Sequence, residues 1–93
     1  MPKVSVIVRT YTETRWKNLL EAVRSVREQT LRPDEIVVVV DHNPALYRKV
    51  VDAVPDAVAV LNEKTPGSSG AWNRGIEAST GDILAFIDDD ATA

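Results

Sequence analysis

The 93-residue sequence has no cysteine and a single histidine, His42. The first absence excludes disulfides and thiolate metal sites, and the second excludes a multi-histidine zinc centre within one chain. No apolar run approaches the roughly 18 residues that a membrane-spanning helix needs. A basic excess is also missing: eleven Lys and Arg stand against fourteen Asp and Glu, for a net charge of −3. That balance argues against a nucleic-acid binder, which shows a basic face. A strand pattern starts almost at once after Met1-Pro2, leaving no room for a signal peptide, so a cytoplasmic setting is the expectation. What is present, 44 % hydrophobic and 27 % charged residues, is the composition of a soluble globular protein. A chain of this length makes one small domain that buries about 60–70 % of its unfolded surface.

Hydrophobic patterning alternates between two periods. Residues 3–9 are β-branched and mostly apolar and read as a central first strand. A polar turn, Thr10 to Thr14, offers Thr12 or Thr14 as an N-cap. From 14 to 29 the apolar residues Trp16, Leu19, Leu20, Val23 and Val26 mark one face of an amphipathic helix. Arg32-Pro33-Asp34 ends that unit, and 35–40 is a second strand, apolar enough to be buried on both faces. A short helix over 45–54, a strand over 57–61 and a helix over 69–79 follow. That last helix is interrupted by Gly75, with Gly81 past its end as a C-cap. The strand Ile83–Ile87 closes the series, read as buried, and runs into Asp88-Asp89-Asp90. Strand-helix alternation of this kind predicts an α/β fold: a three-layer, Rossmann-like sheet of about four mostly parallel strands with flanking helices.

In such a sheet ligands bind at the carboxyl ends of the strands, where the strand order reverses. Every polar cluster lies at such an end: Thr10–Glu13, Asp41–Asn43, the Gly/Ser turn at 67–70 and Asp88–Asp90. If the second and third strands lie on one side of the first, and the fourth on the other, the Thr-Tyr turn and the acidic cluster flank one crevice. Crowded carboxylates repel one another, so folding gives no reason for three in a row. A divalent cation does, since Mg²⁺ or Mn²⁺ bridges carboxylates to substrate phosphates. Plainer roles exist for single residues: Asp41 as a helix cap, His42 as a solvated turn residue, Arg74 on the surface. Trp72 reads as a core anchor or as a stacking platform.

These residues together resemble the N-terminal, nucleotide-binding half of a family 2 inverting glycosyltransferase of the GT-A type. Val4-Ser5-Val6-Ile7-Val8-Arg9-Thr10-Tyr11 resembles the family's strand ending in Pro-Thr-Tyr-Asn-Glu, and Ser25–Thr30 its Ser-Val-x-x-Gln-Thr segment. Glu35–Asp41 resembles its Glu-Ile-Ile-Val-Val-Asp-Asp strand, and Gly70–Ile76 its Gly-x-Ala-x-Asn-x-Gly helix. Phe86–Asp90 resembles the strand that ends in the D-x-D motif. Five segments in the right order and at the right spacing make the likeness specific, and it extends over residues 1–93.

The resemblance implies a site. Thr10 and Tyr11 would hold the nucleobase, with Glu13 toward base or ribose, Asp41 accepting a hydrogen bond from the base, and Asn73 also binding donor. Asp88 would reach the ribose or the metal and its water, and Asp90 would ligate Mn²⁺ or Mg²⁺ on the diphosphate. The donor would be a UDP-, GDP- or dTDP-linked sugar, and the reaction hexosyl transfer to an acceptor hydroxyl with inversion. Arg9 stands where the family usually has proline, and Thr12 where it has asparagine. Val40-Asp41-His42-Asn43 replaces Asp-Asp-Gly-Ser, and Trp72 replaces an arginine found in many members. The family's acceptor-binding half and general base lie beyond the D-x-D motif. The 93 residues are therefore expected to be a fragment that binds nucleotide weakly and transfers nothing alone, from a protein peripheral at the inner membrane face. A sheet ending at its fourth strand leaves an exposed edge, and self-association through it is expected.

Two other classes fit parts of the pattern. A non-catalytic nucleotide-binding or structural module needs the same fold without transfer. Asp88-Asp89-Asp90-Ala91-Thr92 also fits the D-x-D-x-[T/V] nucleophile motif of haloacid dehalogenase-type phosphatases. There, however, the motif follows the first strand and most of the domain comes after it.

Overall fold

The computed structural model describes residues 3–28, 33–63 and 68–88. Strands β1 (Val4–Thr10), β2 (Glu35–Asp41), β3 (Val58–Asn62) and β4 (Ile83–Asp88) alternate with helices α1 (Trp16–Arg27), α2 (Pro44–Ala53) and α3 (Ser68–Ala78). The four strands form one parallel sheet in the order β3-β2-β1-β4. The chain thus builds outward from β1 through β2 to β3, then returns across the sheet to lay β4 on the other side of β1. That reversal between β1 and β4 is the arrangement the crevice argument needed.

Strand periodicity divides the core. Val6, Val8, Ile36, Val38 and Val40 point to one face, where they pack with Leu19, Val23 and Val26 of α1 and with Leu46, Val50 and Val54 from α2 and its end. Ile7, Val37 and Val39 point to the other face, against Trp72 and Ala78 of α3 and Val60 of β3. β2 is apolar on both sides because helices cover both sides, and Val37 to Val40 are fully buried. Leu20, counted by spacing on the apolar face of α1, is exposed.

Two expectations about glycine are corrected. Gly75 does not interrupt α3, which runs unbroken through it. A Cβ there would stand 2.5 Å from Ile7 Cγ2 and 3.0 Å from Val39 Cγ2, so glycine lets the helix lie close on the sheet. Nor does Gly81 cap α3. Ser79 ends the helix instead, its N–H donating to the Gly75 carbonyl at 3.0 Å and its Oγ to the Ile76 carbonyl at 2.9 Å. Gly81 sits against the start of β1, where the Asp82 and Ile83 N–H groups donate to the Lys3 carbonyl at 2.7 and 3.0 Å.

β4 also differs from the buried strand expected. Among the described residues it pairs with β1 alone, and Ile83 and Phe86 remain nearly half exposed. Apolar composition indicates that a strand needs cover without showing where the cover lies.

Side chains clasp the amino ends of the strands. Val4 N–H donates to Asp34 Oδ2 (2.8 Å) and Lys3 N–H to Asp82 Oδ2 (3.1 Å). Glu35 collects the Ser5 hydroxyl (2.8 Å), the Thr80 N–H (2.9 Å) and the Thr80 hydroxyl (3.3 Å). Burial pushes the Glu35 carboxyl up, but the Thr80 and Ser5 hydrogen bonds and the charge of Lys3 outweigh it and hold the group below the ordinary glutamate range. A lowered folded-state pKa contributes stability that is present above the ordinary value and is lost as pH falls through the folded one. Melting temperature is therefore expected to fall on acidification in that window, and more shallowly in Glu35→Gln. Equal slopes for wild type and variant would show that Glu35 is not the responsible group.

Candidate functional site

At the opposite, carboxyl end the polar residues converge. Thr10, the last residue of β1, is fully buried, while Tyr11 projects as an exposed ring. Thr12 accepts from the Thr14 N–H at 3.3 Å and caps the short 3-10 turn Glu13–Arg15 that leads into α1. The Arg15 guanidinium lies 5.4 Å from the Tyr11 ring centroid.

The turn after β2 is tied to this loop by Asn43. Its Oδ1 accepts from the Leu46 N–H at 3.1 Å, so Asn43, not Asp41, is the N-cap of α2. Its Nδ2 donates to the Tyr11 carbonyl at 3.3 Å and to Glu13 Oε1. One side chain thus holds the β1 and β2 loops together. Asn43→Ala is expected to cost about 1–2 kcal/mol from the cap alone, visible as a lower urea midpoint, and to loosen the Tyr11–Glu13 loop. A midpoint unchanged from wild type would contradict this assignment.

Asp41 is freed from capping for another role. It accepts from Asn62 Nδ2 at 2.7 Å, and Asn62 at the end of β3 is itself buried and aligned with Asp41 in the strand register. His42 follows with φ of 50°, the left-handed region that glycine adopts most readily. This is the position where the resembled motif carries glycine, so the turn keeps its shape and adds an exposed imidazole.

On the other side of β1, Arg9 and Asp88 are register partners. Arg9 Nε and Nη2 donate to Asp88 Oδ1 at 3.1 and 2.9 Å. The Arg9 guanidinium lies 6.0 Å from the Tyr11 ring centroid and 5.7 Å from that of Trp72. Trp72 is half-buried, packs on the Ile7–Val39 face and meets Phe86 edge-on at 5.2 Å. It is therefore a core anchor whose ring also borders the Arg9–Asp88 pair.

Thr10, Tyr11, Glu13, Asp41 and Asp88 thus gather at one end of the sheet. Asn73 is exposed on α3. Asp89, Asp90 and residues 64–67 lie outside the described residues, and among those described no three acids or histidines cluster tightly enough to hold a metal. The donor set still suits a hard divalent cation. Asp88 offers oxygen donors on a side chain that is 46 % exposed, and only its Oδ1 is engaged by Arg9. Sequence reasoning missed Arg9, Asn43 and Asn62. Asn62 had a legible signal, a polar side chain ending an apolar strand; the Arg9–Asp88 pair needed the β1–β4 register.

A cleft of about 470 Å³ lies at the amino end of the sheet, lined by Lys3, Arg27, Asp34, Glu35, Asp56 and Val58 among others. Its charged side chains take part in the strand-end clasp and in the Arg27–Asp56 ion pair, which gives them a structural role.

The fold belongs to a known class. A mannosyltransferase from Pyrobaculum calidifontis, solved in complex with GDP-Man and Mn²⁺, is 32 % identical and superposes with a TM-score of 0.71 over 98 % of this chain and 28 % of that one. At the level of fold alone, glucosyl-3-phosphoglycerate synthase from Mycobacterium tuberculosis matches with a TM-score of 0.77 at 23 % identity, over 97 % of this chain and 34 % of that one. These neighbours are GT-A glycosyltransferases, and the architecture here is theirs.

Residues 5–93 match the profile of glycosyl transferase family 2, and the chain belongs to that family. A glucosyl-dolichyl phosphate glucuronosyltransferase from Haloferax volcanii is 44 % identical over 98 % of this chain, which spans 30 % of that protein's length. Family membership also removes the phosphatase alternative: the strand leading into the D-x-D motif is the fourth along the chain, not the first. No helix among the described residues is long and apolar enough to cross a membrane.

Proposed function

We propose that residues 1–93 form the donor-binding part of a glycosyltransferase that takes a UDP-, GDP- or dTDP-linked hexose and transfers it, with inversion, to an acceptor hydroxyl. One observation carries the reading: the strand order reverses between β1 and β4, and Tyr11, Arg9 and Asp88 all stand at the carboxyl ends of those two strands. In this reading the nucleobase lies on Tyr11 near Thr10 and Glu13, with Asp41 as hydrogen-bond acceptor and Asn73 as a further donor contact. Asn62 fixes the Asp41 carboxylate by a directed hydrogen bond, so acceptor geometry is set before the base arrives. Asp88 and Asp90 would hold Mn²⁺ or Mg²⁺, whose chemistry is to neutralise charge growing on the leaving diphosphate. The acid or base that activates the acceptor is not among the residues assigned.

The isolated chain is accordingly a binding module, working in the cytoplasm at the inner membrane face in the whole protein. Two sheet edges, with Val58 on β3 and Ile83 and Phe86 on β4 exposed, support self-association of the chain by itself. Calorimetric titration with UDP, GDP and dTDP, each with and without Mn²⁺, tests the reading. It expects metal-enhanced binding of at least one nucleoside diphosphate. Binding of inorganic phosphate with no nucleotide preference would overturn it.

A further inference from the structure

Arg9 occupies the position at which the resembled motif carries proline, and it touches the first acid of the D-x-D segment. Proline fixes φ and carries no charge, so the replacement changes the electrostatics of the site as well as the loop. The Arg9 side chain is only 19 % exposed, and its planar fork puts two donors on a single carboxylate oxygen of Asp88. Tyr11 and Trp72 border the guanidinium, whose charge favours the faces of such rings. Residues from β1 and the turn after it, α3 and β4 therefore place one fixed positive charge at the point where a divalent cation and a diphosphate would meet.

We propose that Arg9 is a positioning residue that stands in for the metal at Asp88 and makes metal capture depend on the diphosphate. The inference rests on the donor-site reading above. Without a metal, an unpaired Asp88 would repel an incoming diphosphate; paired with Arg9, it presents no net charge and keeps one geometry. A free divalent cation must displace or share with the guanidinium, which weakens its binding in the absence of nucleotide. Once a diphosphate is present, its oxygens attract both the guanidinium and the metal, and the competition for Asp88 turns into joint neutralisation. Arg9 therefore opposes metal binding alone and favours diphosphate binding alone. A residue that merely stabilises the loop would shift both in the same direction.

That opposition makes the test. Arg9→Met keeps the apolar stem between Tyr11 and Trp72 and deletes the charge, whereas Arg9→Lys keeps a charge without the two-pronged fork. Mn²⁺ affinity is read from the free-Mn²⁺ electron paramagnetic resonance signal, and UDP and GDP affinity by calorimetry in chelator. Removing a partly exposed ion pair moves a binding constant by about three- to tenfold. R9M is expected to bind Mn²⁺ alone that much more tightly and metal-free nucleoside diphosphate that much more weakly, with R9K intermediate in both. If wild type binds no nucleoside diphosphate even with Mn²⁺ present, the donor-site reading falls and this inference with it. If wild type binds both and R9M binds Mn²⁺ equally or more weakly, this inference alone is overturned. An R9M chain that does not fold, judged by circular dichroism, passes the same test to R9K, which must shift Mn²⁺ and diphosphate affinity in opposite directions.

Discussion

Asp90→Ala is expected to remove the metal-dependent part of nucleoside-diphosphate binding, by about 100-fold or more, and to leave the melting temperature unchanged. Mg²⁺ and Mn²⁺ sites of this kind use one or two protein carboxylates, with substrate phosphates and water completing the shell. Losing one of two anionic ligands removes an attraction of several kcal/mol at an effective dielectric near 20, and 100-fold corresponds to about 2.7 kcal/mol. A charged residue in an acidic run is not a core-forming side chain, so the fold should tolerate the change. In the proposed reading the D-x-D resemblance makes Asp88 and Asp90 the ligand pair, which leaves Asp89 as the control. Asp89→Ala is expected to shift binding by no more than about threefold. Calorimetry with and without Mn²⁺ on both variants reads the difference. Equal losses in the two would show that the acidic segment acts through net charge rather than as ligands.

Gly81→Ala is expected to cost the chain most of its stability without touching the site. A Cβ at this position would collide with Ser5 Oγ and stand 2.7 Å from Ser5 N and 3.0 Å from the Lys3 carbonyl. Two of those three atoms are backbone at or just before the start of β1, and backbone cannot rotate aside as a side-chain tip can. Ser5 is buried and donates to Glu35, so even the hydroxyl is held. Relief requires β4 to back away from β1, breaking the Asp82 and Ile83 hydrogen bonds to Lys3. Forced displacement of this sort costs about 1–3 kcal/mol for packing, plus about 1 kcal/mol per lost hydrogen bond. Small domains have only about 5–15 kcal/mol in total. A melting temperature lowered by more than about 10 °C follows. A drop of less than about 3 °C would mean that the β4 entry turn can move freely.

Much of this fold is legible in the pattern of residues. The β-branched runs at 4–8 and 36–40 announce strands with covered faces, because such runs tolerate water on neither side. The placement of polar clusters after each strand follows from parallel alternation alone. Long-range facts are less legible. The order β3-β2-β1-β4 had to be supposed, since nothing local records which side of β1 receives β4. Gly81 follows a helix and so resembles a cap, whereas its requirement comes from Ser5, which is 76 positions away in the sequence. Gly75 looks like a helix breaker, yet Ile7 and Val39 are the reason for it. The Arg9–Asp88 pair is invisible until the β1–β4 register is known, although both residues are plain in the sequence. Asn43 directly precedes α2, yet the charge of Asp41 drew the capping role to the wrong residue of the turn. In each case a residue's local habit was readable while its distant partner was not.

The central claim is that donor binds at the carboxyl ends of β1, β2 and β4. Amide chemical-shift mapping of the labelled chain, titrated with UDP or GDP and Mg²⁺, tests it most directly. Shifts should be confined to residues 9–13, 41–43, 62, 73 and 88–90, and trace Mn²⁺ should broaden the amides around Arg9 and Asp88 first. Shifts centred instead on Lys3, Asp34 and Asp56 at the amino end of the sheet would contradict it.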